Sequence, residues 1–373
     1  MQHPIPCLFM RGGTSRGPFF NEADLPTDTI HRDRVLLAVM GSPDKRQIDG
    51  LGGAHPLTSK VGIVRRSTTE GVDLDFLFAQ LQPDKDTVDT TPNCGNMLAA
   101  VVPFAIETGL IHAQGDTTTL RVLTRNTDMQ CDITVQTPMT PSGRRVAYEG
   151  DARIDGVPGH AAPIKINFLD TAGSVAPGLL PTGKVRDVID VPAQGGEPGF
   201  AVEVTCIDNG MPLVIFKAAD VGRTGYETVD QMNADTELKA RIERLRIACG
   251  HVMKLGDVTS KNYPKMTLIA APRQGGSLST RSFIPHVCHD AIGVLAAVTV
   301  GTACVLDGSV TQGIAKVPEG NAKTISVEHP TGEFSVELEI DPANPQNVTR
   351  AALLRTARLI MRGEVMVPSA LYR

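Results

Sequence analysis

Short runs of apolar and β-branched residues recur along the chain, each bounded by glycine, proline, aspartate or asparagine. Runs of this length between turn-forming residues are typical of β-strands. In the first half they predict strands at 5–9, 60–65, 74–82, 119–124 and 129–136. In the second half they predict strands at 201–208, 213–217 and 266–271. Strands therefore dominate the predicted secondary structure.

Helical patterns are fewer and fall into two kinds. Residues 33–40 are apolar on one side and end before Gly41, which is a typical residue just past a helix C-terminus. Residues 238–252 carry apolar side chains at helical spacing, which predicts a surface helix with one buried stripe. Residues 96–108 and 291–300 are apolar on all sides, so each should be buried centrally in its own sheet.

A short repeat links the two all-round apolar helices. Leu98-Ala99-Ala100-Val101 recurs as Leu295-Ala296-Ala297-Val298, and in that register Ala291 corresponds to Cys94. Strands precede and follow both helices, so we predict two halves of similar structure. A Pro/Gly-rich segment at 176–181 predicts the boundary, which gives halves at 1–185 and 186–373. The first half carries Lys60 and Cys94, and the C-terminal segment is free to return to it.

Composition and charge narrow the function classes. A chain of 373 residues is long enough for two domains, and its net charge of −5 argues against nucleic acid or an anionic membrane as a partner. No apolar run approaches the roughly 20 residues needed to cross a bilayer. The first residues do not show a secretory signal pattern. The seven cysteines show no CxxC pair, so neither a metal site nor a disulfide scaffold is predicted. We expect a cytoplasmic protein.

Cys94 is the first candidate for chemistry. It lies in Asn93-Cys94-Gly95-Asn96, where an apolar helix is predicted to begin. The first turn of a helix has unpaired N–H groups and the positive end of the dipole, which favour a thiolate and can bind a carboxylate. A buried, inert cysteine is the alternative.

Lys60 is the second candidate because it begins an apolar strand. Partial burial of the amine would favour its neutral form, which can act as a general base. A strand-end lysine that reaches solvent is the alternative.

Two glycine-rich segments, 10–17 and 274–281, combine flexible backbone with hydroxyl and arginine donors that could bind an anion. Neither has the spacing of a nucleotide-binding loop, and a plain turn with solvated arginines is the alternative. After the second segment, His286 and His289 with Cys288 suggest metal ligands, but the further ligands of the usual pattern are not evident nearby. One of these histidines could instead cap the second apolar helix.

Several segments in this order together resemble the 2-methylaconitate isomerase family, which includes 4-oxalomesaconate tautomerases and 3-methylitaconate Δ-isomerases. The resemblance spans nearly the whole chain, and residues 33–44 are most similar to the 4-oxalomesaconate tautomerases of aromatic-acid catabolism. The segments are Arg11-Gly12-Gly13-Thr14-Ser15-Arg16-Gly17, Gly41-Ser42-Pro43-Asp44, Gln47-Ile48-Asp49-Gly50-Leu51-Gly52-Gly53, Leu57-Thr58-Ser59-Lys60-Val61, Asn93-Cys94-Gly95-Asn96 and Arg355-Thr356-Ala357-Arg358 with Met361-Arg362-Gly363-Glu364-Val365.

The resemblance implies an α+β fold like that of diaminopimelate epimerase: two pseudo-symmetric halves, each a curved sheet or barrel around a central apolar helix, with the active site in the cleft between them. It implies proton transfer on an unsaturated tricarboxylic acid, without a metal or an organic cofactor. Related epimerases use one cysteine from each half, but Ala291 corresponds to Cys94 here. We therefore expect Lys60 and Cys94 to be the catalytic pair, facing one another across the width of a small acid.

The implied substrate-binding residues are hydroxyl, amide, guanidinium and imidazole donors together with glycines of the two turns. They are Thr14, Ser15, Arg16, Ser59, Asn93, Gly95, Asn96, Gly275, Gly276, Ser277, Ser279 and His289. The expected partner is a small tricarboxylate, most similar to 4-oxalomesaconate, with a homodimer as an open option.

Other functions remain open at this stage. Within the family, the alternatives are cis–trans isomerisation of 2-methylaconitate and the Δ-isomerisation of 3-methylitaconate. Lys60 could form a Schiff base with the substrate ketone or with pyridoxal phosphate, although no phosphate-binding cup is evident. A non-catalytic di- or tricarboxylate-binding protein would keep the anion-binding turns without needing both Lys60 and Cys94.

Overall fold

The computed structural model describes residues 1–372, apart from the side chains of residues 345–347. The chain divides into two compact units, one formed by Met1–Leu169 with Leu354–Arg373 and the other by Asp170–Leu353. The C-terminal segment thus belongs to the first unit, and the units divide after residues 169 and 353, whereas the sequence pattern placed one boundary at 185. Within the described part of the chain, every helix is too short or too polar to cross a lipid bilayer.

The first unit contains all five strands predicted for the first half and four helices within the described residues. Its strands are β1 (Gln2–Gly12), β2 (Ser15–Asn21), β3 (Lys60–Arg66), β4 (Leu74–Leu81), β5 (Val88–Asp89), β6 (Thr117–Thr124), β7 (Met129–Gln136), β8 (Met139–Thr140), β9 (Gly143–Arg144), β10 (Ile164–Phe168) and β19 (Ala357–Pro368). Its helices are α1 (Thr29–Met40), α2 (Gly95–Leu98), α3 (Val101–Glu107) and α7 (Ser369–Tyr372), with 3₁₀ helices at Glu22–Asp24 and Pro56–Thr58.

The second unit contains the three strands and both helices predicted for the second half. Its strands are β11 (Asp187–Val191), β12 (Phe200–Asp208), β13 (Pro212–Lys217), β14 (Lys265–Ala270), β15 (Leu278–Phe283), β16 (Ala322–His329), β17 (Gly332–Asp341) and β18 (Asn344–Arg355). Its helices are α4 (Val229–Ala234), α5 (Thr236–Val252) and α6 (Val294–Val305), with a 3₁₀ helix at Ala218–Val221.

The two units share one strand order. Hydrogen bonds connect β19-β1-β2-β3-β4-β6-β7-β10 in the first unit. They connect β11-β12-β13-β14-β15-β16-β17-β18 in the second. In each unit the third and fourth strands are parallel, as are the fifth and sixth, and the other pairs are antiparallel. The predicted α+β fold with pseudo-symmetric halves is therefore confirmed.

Each sheet has a core on both faces. On one face an amphipathic helix packs against alternate strand residues, α1 in the first unit and α5 in the second. On the other face lie the all-round apolar helices. Helix α3 contacts β3 and β7, and α6 contacts β12, β13, β16 and β17. Most residues of α3 and α6 are buried, which confirms the prediction that both are central.

The structure corrects the bounds of the central helices. The helix predicted at 96–108 is divided into α2 and α3, because Pro103 has no N–H to donate and its ring would clash with the carbonyl four residues earlier, at Ala99. The helix predicted from 291 begins only at Val294, after an extended N-cap residue, Gly293, and continues to Val305.

Helix α5 has the predicted buried stripe, with Leu238, Ile242 and Leu245 in the core, but its last residue, Val252, is exposed. The stripe also buries Arg246, which the apolar pattern did not predict. The Arg246 guanidinium donates to the Glu243 carboxylate and to backbone carbonyls of the segment that follows the helix. These bonds satisfy a charge that would otherwise be costly to bury.

Candidate functional site

Strand β3 directs Lys60 away from helix α1. Val61 and Ile63 belong to the core beneath α1, and successive strand residues point to opposite faces. Lys60 therefore projects toward the face occupied by α2 and α3. Ser15 lies on the same face. Phe19 of β2 pairs with Gly62 of β3, Phe19 is four residues from Ser15, and Gly62 is two residues from Lys60, so all four residues face the same side of the sheet.

Lys60 and Cys94 are in direct contact. The Lys60 Nζ is 3.3 Å from the Cys94 Sγ, and the two residues are only 8% and 9% exposed. The amine also lies 5.4 Å from the centre of the Phe78 ring, and no described carboxylate forms an ion pair with it. The sequence led us to expect the width of a small acid between the two groups, but they are hydrogen-bonded to each other. Together they form a buried pair that can accept and return a proton.

The backbone at Cys94 leaves its thiol available for this contact. Cys94 is the N-cap residue of α2, with φ −133° and ψ 96°, and its side chain makes no capping hydrogen bond. Its carbonyl accepts from Leu98 N at 3.0 Å, the first helical bond of α2. Gly95 is therefore the first residue of the helix, one residue before the start at 96 that the sequence predicted.

Four other thiols differ from Cys94 in their surroundings. Burial raises the pKa of Cys7 and of Cys288 to about 11 and that of Cys304 to about 12. Burial also raises the pKa of Cys131 well above its ordinary value. These four thiols are therefore protonated and unreactive at neutral pH.

We expect iodoacetamide at pH 7.5 to alkylate Cys94 before these four thiols, because the Lys60 Nζ donates a hydrogen bond to the Cys94 Sγ and so stabilises the attacking thiolate. Peptide mass spectrometry at short times measures the order of labelling, and activity should fall in proportion to Cys94 modification. Lys60→Met is the control and should slow the reaction at Cys94. Faster labelling of Cys7 or Cys288 would contradict this account.

The glycines of the β1–β2 hairpin allow neighbouring segments of the chain to approach its backbone closely. A Cβ on Gly12 would overlap the Asn96 carbonyl oxygen, and one on Gly13 would overlap the Asn96 side chain. A Cβ on Gly17 would overlap the Lys60 carbonyl oxygen. The glycines that suggested an anion-binding turn therefore allow this hairpin to pack directly on α2 and on β3.

The hydroxyl and guanidinium groups of the same hairpin remain candidates for binding substrate. The Thr14 Oγ1 accepts from Asn96 Nδ2 at 3.0 Å and keeps its own proton for donation. The Ser15 Oγ is buried and has no hydrogen-bond partner among the described residues. Arg16 is exposed, and its guanidinium lies 5.6 Å from the centre of the Phe9 ring. A buried hydroxyl without a partner is costly, so Ser15 is well suited to bind a ligand.

Ser59 and Asn93 have structural partners that the sequence did not reveal. Ser59 is fully buried, and its Oγ lies 2.8 Å from both Gln47 Oε1 and the His55 carbonyl. Gln47 Oε1 also accepts from the backbone of the loop that leads to Lys60. Asn93 Nδ2 donates to Thr124 and Thr127, at the β6–β7 turn. These bonds allow both residues to position Lys60 and Cys94. The buried Asn93 Oδ1 has no hydrogen-bond partner among the described residues, so the predicted contact with substrate stays a prediction.

The glycine-rich turn of the second unit already holds an anion. The backbone amides of Arg273, Gln274 and Gly276 donate to the Glu328 carboxylate at 2.7–2.8 Å, and Glu328 is only 4% exposed. The prediction that this turn suits a carboxylate has a physical basis, but its carboxylate belongs to the protein.

The neighbouring serines of this turn are also used internally. Ser277 exchanges hydrogen bonds with Ser326, and Ser279 is buried in β15. Gly275 has a φ of +88°, which favours glycine, and nothing lies near its Cα on the side-chain side. We therefore leave Gly275, Gly276, Ser277 and Ser279 out of the proposed substrate site.

His289 helps to arrange the chain before α6. Its Nδ1 accepts from Ala291 N at 2.8 Å. Ala291 precedes the N-cap residue Gly293, which has no side-chain cap, so His289 does not cap α6. Burial, with a further contribution from the positive charge of Lys265, lowers the pKa of His289 below its ordinary value. His286 instead lies 3.5 Å from Glu243. No group of three or more potential metal ligands occurs among the described residues.

A solved structure of an isomerase has a similar fold. The chain resembles the crystal structure of a methylitaconate Δ-isomerase with a TM-score of 0.85 at 34% sequence identity, covering 100% of this chain and 97% of that one.

The chain belongs to the PrpF protein family, which it matches over residues 2–368. It is 55% identical to the (4E)-oxalomesaconate Δ-isomerase of Novosphingobium sp. over 97% of both chains. It is 50% identical to the 4-oxalomesaconate tautomerase of Pseudomonas putida, covering 98% of this chain and 97% of that one. These matches confirm the family resemblance of the sequence motifs and show that the chain is an isomerase.

Proposed function

We propose that this protein isomerises 4-oxalomesaconate by moving a proton, with Lys60 and Cys94 as the acid–base pair and no organic cofactor. The observation that carries the proposal is the buried contact of 3.3 Å between Lys60 Nζ and Cys94 Sγ. The names of the two relatives at 50% identity or more support the substrate. The proposed setting is aromatic-acid catabolism in the cytoplasm.

The chemistry needs one proton removed and one returned. In the keto form of 4-oxalomesaconate, a CH2 group lies between a ketone and a conjugated alkene, so its C–H electrons can delocalise into a dienolate. The Lys60 lone pair takes this proton as the C–H bond breaks. A proton returned from the pair to oxygen gives the enol, and one returned to the far carbon of the alkene shifts the double bond. The Cys94 thiol relays the proton, because it is hydrogen-bonded to the amine.

In this proposal the β1–β2 hairpin binds the carboxylates of the substrate. The buried Ser15 hydroxyl on the Lys60 face, the Thr14 hydroxyl and the Arg16 guanidinium supply two neutral donors and one positive charge. Donors fixed in place before the reaction stabilise developing enolate charge more effectively than water does.

Substrates with two or three carboxylates should therefore be strongly preferred. We expect a matched monocarboxylate analogue to lose transition-state stabilisation, which steady-state assays would show as a lower kcat/KM. Arg16→Gln should reduce the difference in kcat/KM between the substrate and the monocarboxylate analogue. Equal turnover of the monocarboxylate by the unaltered enzyme would contradict the proposal.

The function is tested by proton NMR of 4-oxalomesaconate with the enzyme in deuterium oxide. Deuterium appearing at the original CH2 and at a second carbon indicates a double-bond shift, and enol formation without a second labelled carbon indicates tautomerisation. Failure to convert 4-oxalomesaconate at all, with turnover of 3-methylitaconate instead, would refute the proposed substrate.

Replacing Cys94 by Ser should separate the two proton transfers. If the thiol acts after the first proton is lost, this variant should still exchange the substrate CH2 with deuterium oxide while net isomerisation falls. The same NMR experiment measures both rates. Equal losses of exchange and isomerisation would instead place Cys94 in the first step.

A further inference from the structure

The second unit contains a lysine at the position that Lys60 occupies in the first. Lys265 is the first residue of β14, as Lys60 is the first residue of β3. In each unit the last residue of the preceding parallel strand, Asn21 or Lys217, begins a 3₁₀ helix. Asn21 pairs with the fifth residue of β3, and Lys217 pairs with the fifth residue of β14. Lys60 and Lys265 therefore occupy equivalent positions in the two sheets.

Strand alternation places Lys265 and His289 on one face of the second sheet. Met266 belongs to the core beneath α5, so Lys265 and Thr267 project to the opposite face, toward α6. Thr267 pairs with Ser282, and their hydroxyls are hydrogen-bonded at 2.9 Å. His289 lies beside Ser282 on the next chain segment, and the His289 backbone N–H donates to the Ser282 carbonyl at 2.8 Å. The result is a polar row with an amine and an imidazole at its ends.

The charges in this row are not balanced. Lys265 is half-buried, and no described residue forms a hydrogen bond or ion pair with its amine. Burial lowers the pKa of Lys265. The lowered pKa of His289, due to burial first and to Lys265 second, is only partly opposed by the exposed Asp290 carboxylate. An anion beside the amine would relieve this cost.

The hydrogen bonding of His289 determines what it offers a ligand. Its Nδ1 accepts from Ala291 N, so the neutral ring carries its proton on Nε2. The neutral Nε2–H and the Lys265 ammonium group, on the same face of the sheet, are two donors that together carry one positive charge. Two oxygens of one carboxylate match such a pair, because one can accept from each donor.

We propose that Lys265 and His289 form a carboxylate-binding site in the second unit. The site is separate from the glycine-rich turn of that unit, which Glu328 occupies. Its ligand is a carboxylate, either of the substrate or of another organic acid.

The site is tested by NMR of the His289 ring during titration with propane-1,2,3-tricarboxylate, a saturated acid that cannot isomerise. His289→Gln assigns the signal. We expect a saturable shift in the wild-type protein and in Lys60→Met, so the result does not depend on the proposed catalytic role of Lys60. Lys265→Met should weaken binding by about 10–100-fold, the usual range for a charged hydrogen bond.

Lys217→Met is the matched control, because Lys217 is a half-buried strand-end lysine of the adjacent strand that is paired with Glu203 at 3.8 Å. It should bind as the wild type does. An absent shift, or equal binding by Lys265→Met and Lys217→Met, would overturn the proposal. If Lys265→Met does not fold, as judged by thermal unfolding, Lys265→Gln provides the same test.

Steady-state kinetics with 4-oxalomesaconate then distinguish the two sources of the carboxylate. A raised KM for Lys265→Met, partly restored in Lys265→Arg, identifies the ligand as the substrate. Unchanged kinetic constants together with lost binding of the tricarboxylate identify another organic acid as the ligand. Both results support the site.

Discussion

Replacing Lys60 by Met is expected to abolish isomerisation and to stop deuterium exchange at the substrate CH2. Met is unbranched like Lys and only one heavy atom shorter, so it can still pack near Phe78, but it has no amine to accept a proton. General bases typically contribute about 10²–10⁴-fold to the rate. An ultraviolet assay of isomerisation and proton NMR in deuterium oxide measure the two losses. Thermal unfolding should show a folded variant.

Lys217→Met provides the control for this experiment as well, since it removes a lysine from the end of a strand without touching Cys94. We expect it to retain activity. Near-normal activity of folded Lys60→Met would refute the lysine assignment and would make Cys94 or His289 the leading base.

Replacing Gly17 by Ala should be strongly destabilising and should also reduce activity. The new Cβ would overlap the carbonyl oxygen of Lys60, which is a backbone atom of β3 and cannot rotate away. Overpacking usually costs about 1–3 kcal/mol in the free energy of unfolding. The displacement also moves Lys60 itself relative to Cys94. Urea denaturation and the isomerisation assay measure the two effects.

Gly363→Ala is the matched control, because Gly363 lies in β19 with nothing within 4 Å of a Cβ built on it. Ala is favoured over Gly within a strand, so this control should be neutral or slightly stabilising. A Gly17→Ala protein as stable and active as the control would show that the close approach of β2 to Lys60 is not required.

Local sequence patterns predicted most of the helices and strands, because the residues that determine each element lie close together in the sequence. The all-round apolar segments were predicted to be buried centrally, and Val101 and Val298 are fully buried. The division between α2 and α3 was missed although Pro103 signals it, because the apolar pattern continues across it. Arg246 was missed for the opposite reason, since the carbonyls that bind it follow the helix in an irregular segment.

The candidate site was predictable in its chemistry but not in its contacts. The sequence singled out Lys60 and Cys94, yet it could not show that they touch, because they lie 34 residues apart on different elements. The glycine-rich turn of the second unit was matched to a carboxylate, but its partner, Glu328, lies more than fifty residues away. Lys265 carried the same signal as Lys60, a lysine beginning an apolar strand, and only the strand register shows that the two positions correspond.

The pairing of β1 with β19 has a consequence for synthesis on the ribosome. Arg11 and Thr356, hydrogen-bonded in the folded unit, are 345 residues apart in sequence. Translation at about 5–20 residues per second leaves β1 without this neighbour for about 10–40 s after Leu169 is added. The segment Asp170–Leu353 is continuous and needs no such wait. The first unit to emerge is therefore the last to be completed, and in the nascent chain the open edge of β1 is where chaperones should bind and aggregation should begin.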